Sequence, residues 1–135
     1  MDKTEYGIGV ELQLDFDSAV KLTVERLKDH GFGVLTEIDV KETLKQKLGV
    51  DFKRYRILGA CNPPLAYKAL SAEDEIGRLL PCNVIVYESS GGKVKVSAID
   101  PVAAMSVVGS DAIRLVAEEV SRKLTAVISA LDESA

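Results

Sequence analysis

The sequence predicts an α+β domain in which a five-stranded, mostly antiparallel sheet carries two long helices on one face. Three observations predict it. Five stretches alternate apolar and polar residues or are rich in β-branched and aromatic residues, as strands are. Two longer segments, one after Asp17 and one after Ser110, repeat apolar residues at helical spacing, so each has one stripe to bury. Ser89-Ser90-Gly91-Gly92 joins the last two strand patterns as a hairpin turn, which makes those strands antiparallel neighbours.

Each element follows from local chemistry. In Tyr6–Leu14, Tyr6, Ile8, Val10, Leu12 and Leu14 share one face, and Gly7, Gly9, Glu11 and Gln13 the other. The two glycines lack the third glycine and the helix of a dinucleotide fingerprint, so they mark a bend or close packing on the small face. Asp17 is an N-cap, and Ala19, Val20, Val24 and Leu27 form the stripe of a helix that Gly31 ends. Phe32–Ile38 is the second strand. Asp39 with Glu42 reads as a capping box for a short helix with Leu44 and Leu48 inward, ended by Gly49.

Phe52–Cys61 is the third strand. Asn62 as N-cap and Pro63 at the first helical position open a helical crossover with Leu65, Ala66, Ala69 and Leu70 on its apolar side. Ser71 with Asp74 reads as a second capping box, Ile76, Leu79 and Leu80 face in, and Pro81 stops the segment. Cys82–Glu88 and Lys93–Asp100 are the fourth and fifth strands, the latter with Val94, Val96 and Ala98 inward. Asp100-Pro101 breaks it, and Val102–Val108 is a short apolar connection. Ser110 caps the last helix, whose stripe is Ile113, Val116, Ala117, Val120, Leu124, Val127 and Leu131.

Length and composition bound the function. A chain of 135 residues fits a single domain spanning residues 1–135 and can bury a core without disulfides or metal. Its 47% hydrophobic and 28% charged residues are globular values. A net charge of -4 argues against nucleic acid or an anionic membrane as partner. The basic and aromatic residues of Phe52-Lys53-Arg54-Tyr55-Arg56 then read as an exposed strand face rather than a nucleic-acid surface. No apolar run is long enough to span a bilayer. Met1–Glu5 runs straight into a strand pattern without signal-peptide architecture. With two cysteines this gives the expectation of a cytoplasmic protein with reduced thiols.

Both cysteines frame the helical crossover, each in a Cys-Asn pair beside a proline. If the second to fifth strands form an antiparallel meander, the end of the third lies beside the start of the fourth. The same edge then collects His30, Cys61, Asn62, Cys82, Asn83 and Asp100. Two thiolates with His30 or Asp100 are a candidate site for Zn²⁺ or another soft metal, although the spacing matches no standard zinc pattern. The cysteines are alternatively a redox pair, or one is a nucleophile assisted by His30. The commonest fate of intracellular cysteine is simple burial as a small hydrophobe. Two prolines after Asn62 remove N–H donors that a phosphate would use. Glu37 and Asp39 are a possible carboxylate pair. Asp39 is already explained as a cap, and Glu37 is a partly buried candidate. The sequence has no P-loop, GxSxG or HExxH, and it names no catalytic residue or cofactor.

Gly31-Phe32-Gly33-Val34-Leu35-Thr36-Glu37-Ile38-Asp39, Tyr55–Pro63, Leu80–Val84 and Asp100-Pro101 together resemble the DUF302 family of small bacterial and archaeal proteins. The resemblance implies a TBP-like fold of order β-α-β4-α and a homodimer. It implies no activity. The reading that follows is a small-ligand or soft-metal binding module at the Cys61/Cys82 edge, with Cys61, Asn62, Cys82, Asn83 and Glu37 as candidate ligand-binding residues. The alternatives are a thiol-dependent redox protein or enzyme, and a dimeric interaction protein with structural cysteines.

Overall fold

A computed structural model describes residues 1–134. Six strands form one antiparallel sheet: β1 (Asp2–Lys3), β2 (Gly7–Leu12), β3 (Gly33–Asp39), β4 (Tyr55–Cys61), β5 (Cys82–Glu88) and β6 (Val94–Ile99), in the order β1-β2-β6-β5-β4-β3. The meander on which the sequence reading was conditional is present as β3-β4-β5-β6, and β2 returns beside β6. The expected count of five strands is one short. The sixth is the two-residue β1, which pairs with Ile8 and Gly9 and is too short to show a period.

The helices are α1 (Phe16–Asp29), α2 (Val40–Leu48), α3 (Pro63–Ala72), α4 (Pro101–Met105) and α5 (Asp111–Ser134), with 3₁₀ segments at Asp74–Leu79 and Ser106–Val108 and a tight turn at Ser90–Gly92 in which Gly91 and Gly92 take positive φ. One sheet face supplies Val10, Leu12, Leu58, Ala60, Val84, Val86, Val96 and Ala98 to the core. It packs against Phe16, Ala19, Val20 and Leu27 of α1 and Val120, Leu124, Val127, Ile128 and Leu131 of α5. A second, smaller cluster joins Ala69, Ile76, Met105, Ile113 and Ala117 beside it. No helix among the described residues is long and apolar enough to cross a membrane.

Most element ends follow the expected chemistry. The Asp39 carboxylate accepts the Glu42 N–H at 3.0 Å, and the Ser110 hydroxyl accepts the Ile113 N–H at 3.3 Å. At the end of α1, Gly31 takes φ +86°. The Phe32 N–H then reaches the Leu27 carbonyl at 2.9 Å and the Gly31 N–H reaches Lys28 at 3.1 Å. This left-handed cap turns the chain so that Phe32 and Leu27 enter the same core. Close packing explains Gly9, where a Cβ would lie 2.9 Å from the Val96 carbonyl oxygen.

Four expectations are corrected. The N-cap of α1 is Asp15, whose carboxylate accepts the Ser18 N–H at 3.1 Å, and Asp17 sits in the first turn. Burial of Phe16 decides between the two aspartates. Glu73, not Ser71, caps the turn at Asp74, because α3 continues through Ser71. Tyr6 is 72% exposed, since β2 begins only at Gly7. No residue of α2 is buried, and Leu48 is 70% exposed. That helix follows the edge strand β3, and its main neighbours are β3 and β4, so no second layer meets its apolar stripe.

Candidate functional site

The meander sets the site. β4 ends at Cys61 and β5 begins at Cys82, and Ala60 directly opposes Cys82 across the pair. On the other side of β4, Gly33 opposes Cys61. Between the cysteines the chain leaves the sheet as α3. The Asn62 Oδ1 accepts the Leu65 N–H at 3.2 Å, and Pro63 occupies the first turn. α3 therefore starts directly over the cysteine end of the sheet.

A cavity of about 240 Å³ lies beneath it. Phe32, Leu65 and Val120 of the main core and Ala69 and Met105 of the smaller cluster line it, together with Cys61, Asn62 and Cys82. It sits on the seam where the two clusters meet without filling the space. At its mouth stand Leu35 and Leu70, which are 67% and 41% exposed.

Leu35 stands there because β3 carries a bulge. The pairing register slips between Val34 and Thr36, so Leu35 has no partner on β4. Thr36 opposes Gly59, and a Cβ on Gly59 would collide with the Thr36 hydroxyl and lie 2.7 Å from Pro81 Cγ. The bare glycine lets Thr36 and Pro81 close over β4.

The electrostatics are those of an apolar site. No charged residue lines the cavity among the described residues. Both cysteines are free. Burial pushes the Cys61 thiol up, and burial with the nearby Cys61 pushes Cys82 up to about 11. At neutral pH both are thiols, whereas nucleophilic attack and metal ligation need the thiolate.

Three of the expected site residues, Cys61, Asn62 and Cys82, line this one cavity. Asn83 does not. It opposes Gly59 on the other sheet face and is exposed beside Tyr6 and Lys95. Glu37 pairs with Arg56, which is also 3.8 Å from Asp39 and lies 5.6 Å over the Phe16 ring, away from the cavity. His30 is the C-cap of α1, with Nδ1 2.9 Å from the Arg26 carbonyl oxygen. It borders a shallow hollow with Glu119, Arg122 and Lys123. Asp100 lies at the cysteine end of the sheet, but its carboxylate caps α4 by accepting the Val102 N–H at 3.0 Å.

The proposed metal set of Cys61, Cys82, His30 and Asp100 is thus not assembled. Among the described residues, no group of three or more His, Cys, Asp or Glu is placed to hold an ion. Backbone capping has taken two of its four members. Conversely, Met105 and Val120 line the cavity without any sequence signal beyond their apolar character, and Leu35 reaches it only through the bulge.

Fold and site together define a small α+β sandwich with an apolar hollow at one sheet end, edged by two thiols and an asparagine amide. A model of the family described as "Domain of unknown function DUF302" matches residues 8–131, and the chain belongs to that family. It is similar to the crystal structure of an uncharacterized conserved DUF302 protein from Bacillus stearothermophilus. The TM-score is 0.84 at 29% sequence identity, over 91% of this chain and 95% of that one. No curated protein matches.

Proposed function

We propose that the protein is a small-ligand binding module whose site is the cavity at the Cys61/Cys82 end of the sheet. The observation that carries this is the cavity itself: about 240 Å³, apolar, and opening between β3 and α3. Ligand pockets are concave, mostly apolar and equipped with a few polar groups, and a void of about 150 Å³ already accepts benzene. A molecule somewhat larger than benzene suits this one. The soft-metal form of the reading has less support, since only the two cysteines meet at the site. The redox and nucleophile readings have less as well, because the environment favours the neutral thiols.

The homodimer belongs to this proposal. By register, Ile38, Ile57 and Ile85 form a row on the sheet face opposite the core, and Ile38 is 47% exposed. Such a row supports a second copy as its cover. The order β2-α1-β3-β4-β5-β6-α5 likewise supports the TBP-like assignment, which carries no function with it. A cytoplasmic location fits the neutral, unpaired thiols.

The test is an NMR titration with indole as the probe. Saturable amide shifts at Cys61, Asn62, Leu65 and Cys82 are expected. In Ala66→Phe, which adds a ring at a position lining the cavity, they should vanish while the remaining spectrum persists. Absence of saturable shifts in the wild type, or unchanged binding by the filled variant, sinks the reading. Sedimentation equilibrium reads the dimer separately.

A further inference from the structure

Building on that pocket reading, we infer that the ligand is an uncharged molecule with an apolar body and one hydrogen-bond acceptor oxygen, held by the side-chain amide of Asn62. Two observations carry this. First, the cavity offers no charged side chain to a ligand, and an ion moved from water into such a lining loses hydration without replacement. Second, Asn62 supplies the one side-chain amide among the residues that line the cavity. The thiols of Cys61 and Cys82 are weak donors and acceptors. The Asn62 oxygen is committed to the Leu65 N–H, which leaves the Nδ2 N–H groups as donors. No hydrogen bond among the described residues occupies them.

The amide is also held in place. Its oxygen caps α3 and Pro63 follows directly, so the donor is presented without a search over rotamers. A ligand carbonyl, ester or hydroxyl oxygen matches it, and the rest of the molecule fills the seam between the two core clusters. A carboxylate, phosphate or ammonium of the same shape is excluded.

Three probes of similar shape test this by NMR titration: acetophenone, ethylbenzene and benzoate. Acetophenone should bind about fivefold or more tighter than ethylbenzene, the value of one hydrogen bond, and benzoate at least about tenfold weaker than acetophenone. The Asn62 side-chain amide pair should shift with acetophenone and stay still with ethylbenzene. Asn62→Ser keeps an oxygen to cap α3 but removes the amide donors. It should abolish the preference for the ketone over ethylbenzene. Benzoate binding as tightly as acetophenone overturns the uncharged class. A ketone preference that survives Asn62→Ser overturns the role of Asn62. Should that variant not fold, the wild-type amide shift decides the same point. If ethylbenzene binds in the pocket and acetophenone binds no better, this inference falls while the pocket reading stands. If no probe perturbs the pocket, both fall.

Discussion

At Cys82 the folded chain holds a thiol whose proton leaves near pH 11, against an ordinary value of 9.0, with burial as the first cause. The unfolded chain releases that proton near pH 9, so between the two values it binds fewer protons than the native state. Stability from this group is therefore fully present below about pH 9 and lost as pH rises towards 11. Two pH units correspond to ~2.7 kcal/mol at most, and roughly 2 kcal/mol is a realistic loss. Urea unfolding from pH 8 to 11 should show that slope in the wild type, and a flatter one by that amount in Cys82→Ala. An identical slope in both proteins refutes the assignment. Gly59 is the other residue with a sharp consequence. Gly59→Ala places a methyl group against Thr36 and Pro81 and should destabilise by about 1–3 kcal/mol. Adding Thr36→Ala should recover part of this loss. Chemical denaturation of the single and double variants checks both statements.

The short helix α2 is held by its ends. The Asp39 carboxylate caps it, Gly49 closes it with a left-handed residue, and Lys41 ties it to Asp51 at 2.7 Å and to the Phe52 carbonyl at 2.8 Å. Asp39→Ala should weaken it by about 1 kcal/mol, read as faster amide exchange across α2 with the amides of β4 and β5 unchanged. Uniformly faster exchange would show instead that α2 unfolds only with the whole domain. The caps at Asp39, Asn62 and Ser110 were legible in the sequence because a side chain and the N–H it accepts lie three residues apart. The inward placement of Leu44 and Leu48 was not. An amphipathic stripe records what a helix has to bury and says nothing of whether a neighbour arrives. Asp15 and Asp17 are equally good caps by residue type, and only the burial of Phe16 separates them.

Across the whole molecule the cavity is a product of assembly. Only the last hairpin was fixed by its turn; the rest of the meander, and with it the meeting of Cys61, Asn62 and Cys82, was a conditional reading of the strand order that the family resemblance favoured. The position of Asp100 at the same sheet end came with that reading, while the use of its carboxylate as a cap was settled locally by α4. The seam was not legible, because it depends on how α3, α4 and α5 pack against one another. Met105 and Val120 come together only there. A ligand filling that seam couples to global stability. At a free concentration one hundred times its Kd it should add about 2.7 kcal/mol, observed as a rise in Tm that Ala66→Phe abolishes. A binding signal without any rise in Tm would place the ligand on the unfolded chain as much as on the folded one.

The bulge at Leu35 has a further consequence through the position of β3 at the rim of the sheet. An outermost strand offers free N–H and C=O groups to any extended chain that comes alongside, and fibril growth begins that way. Here the irregularity interrupts the free row at one end. Glu37 and Asp39 add carboxylates along the other, and the chain turns into α2 directly after Asp39. What remains is too short and too charged to template strand addition. This edge therefore does not compete with the flat of the sheet, the face proposed above for a second copy.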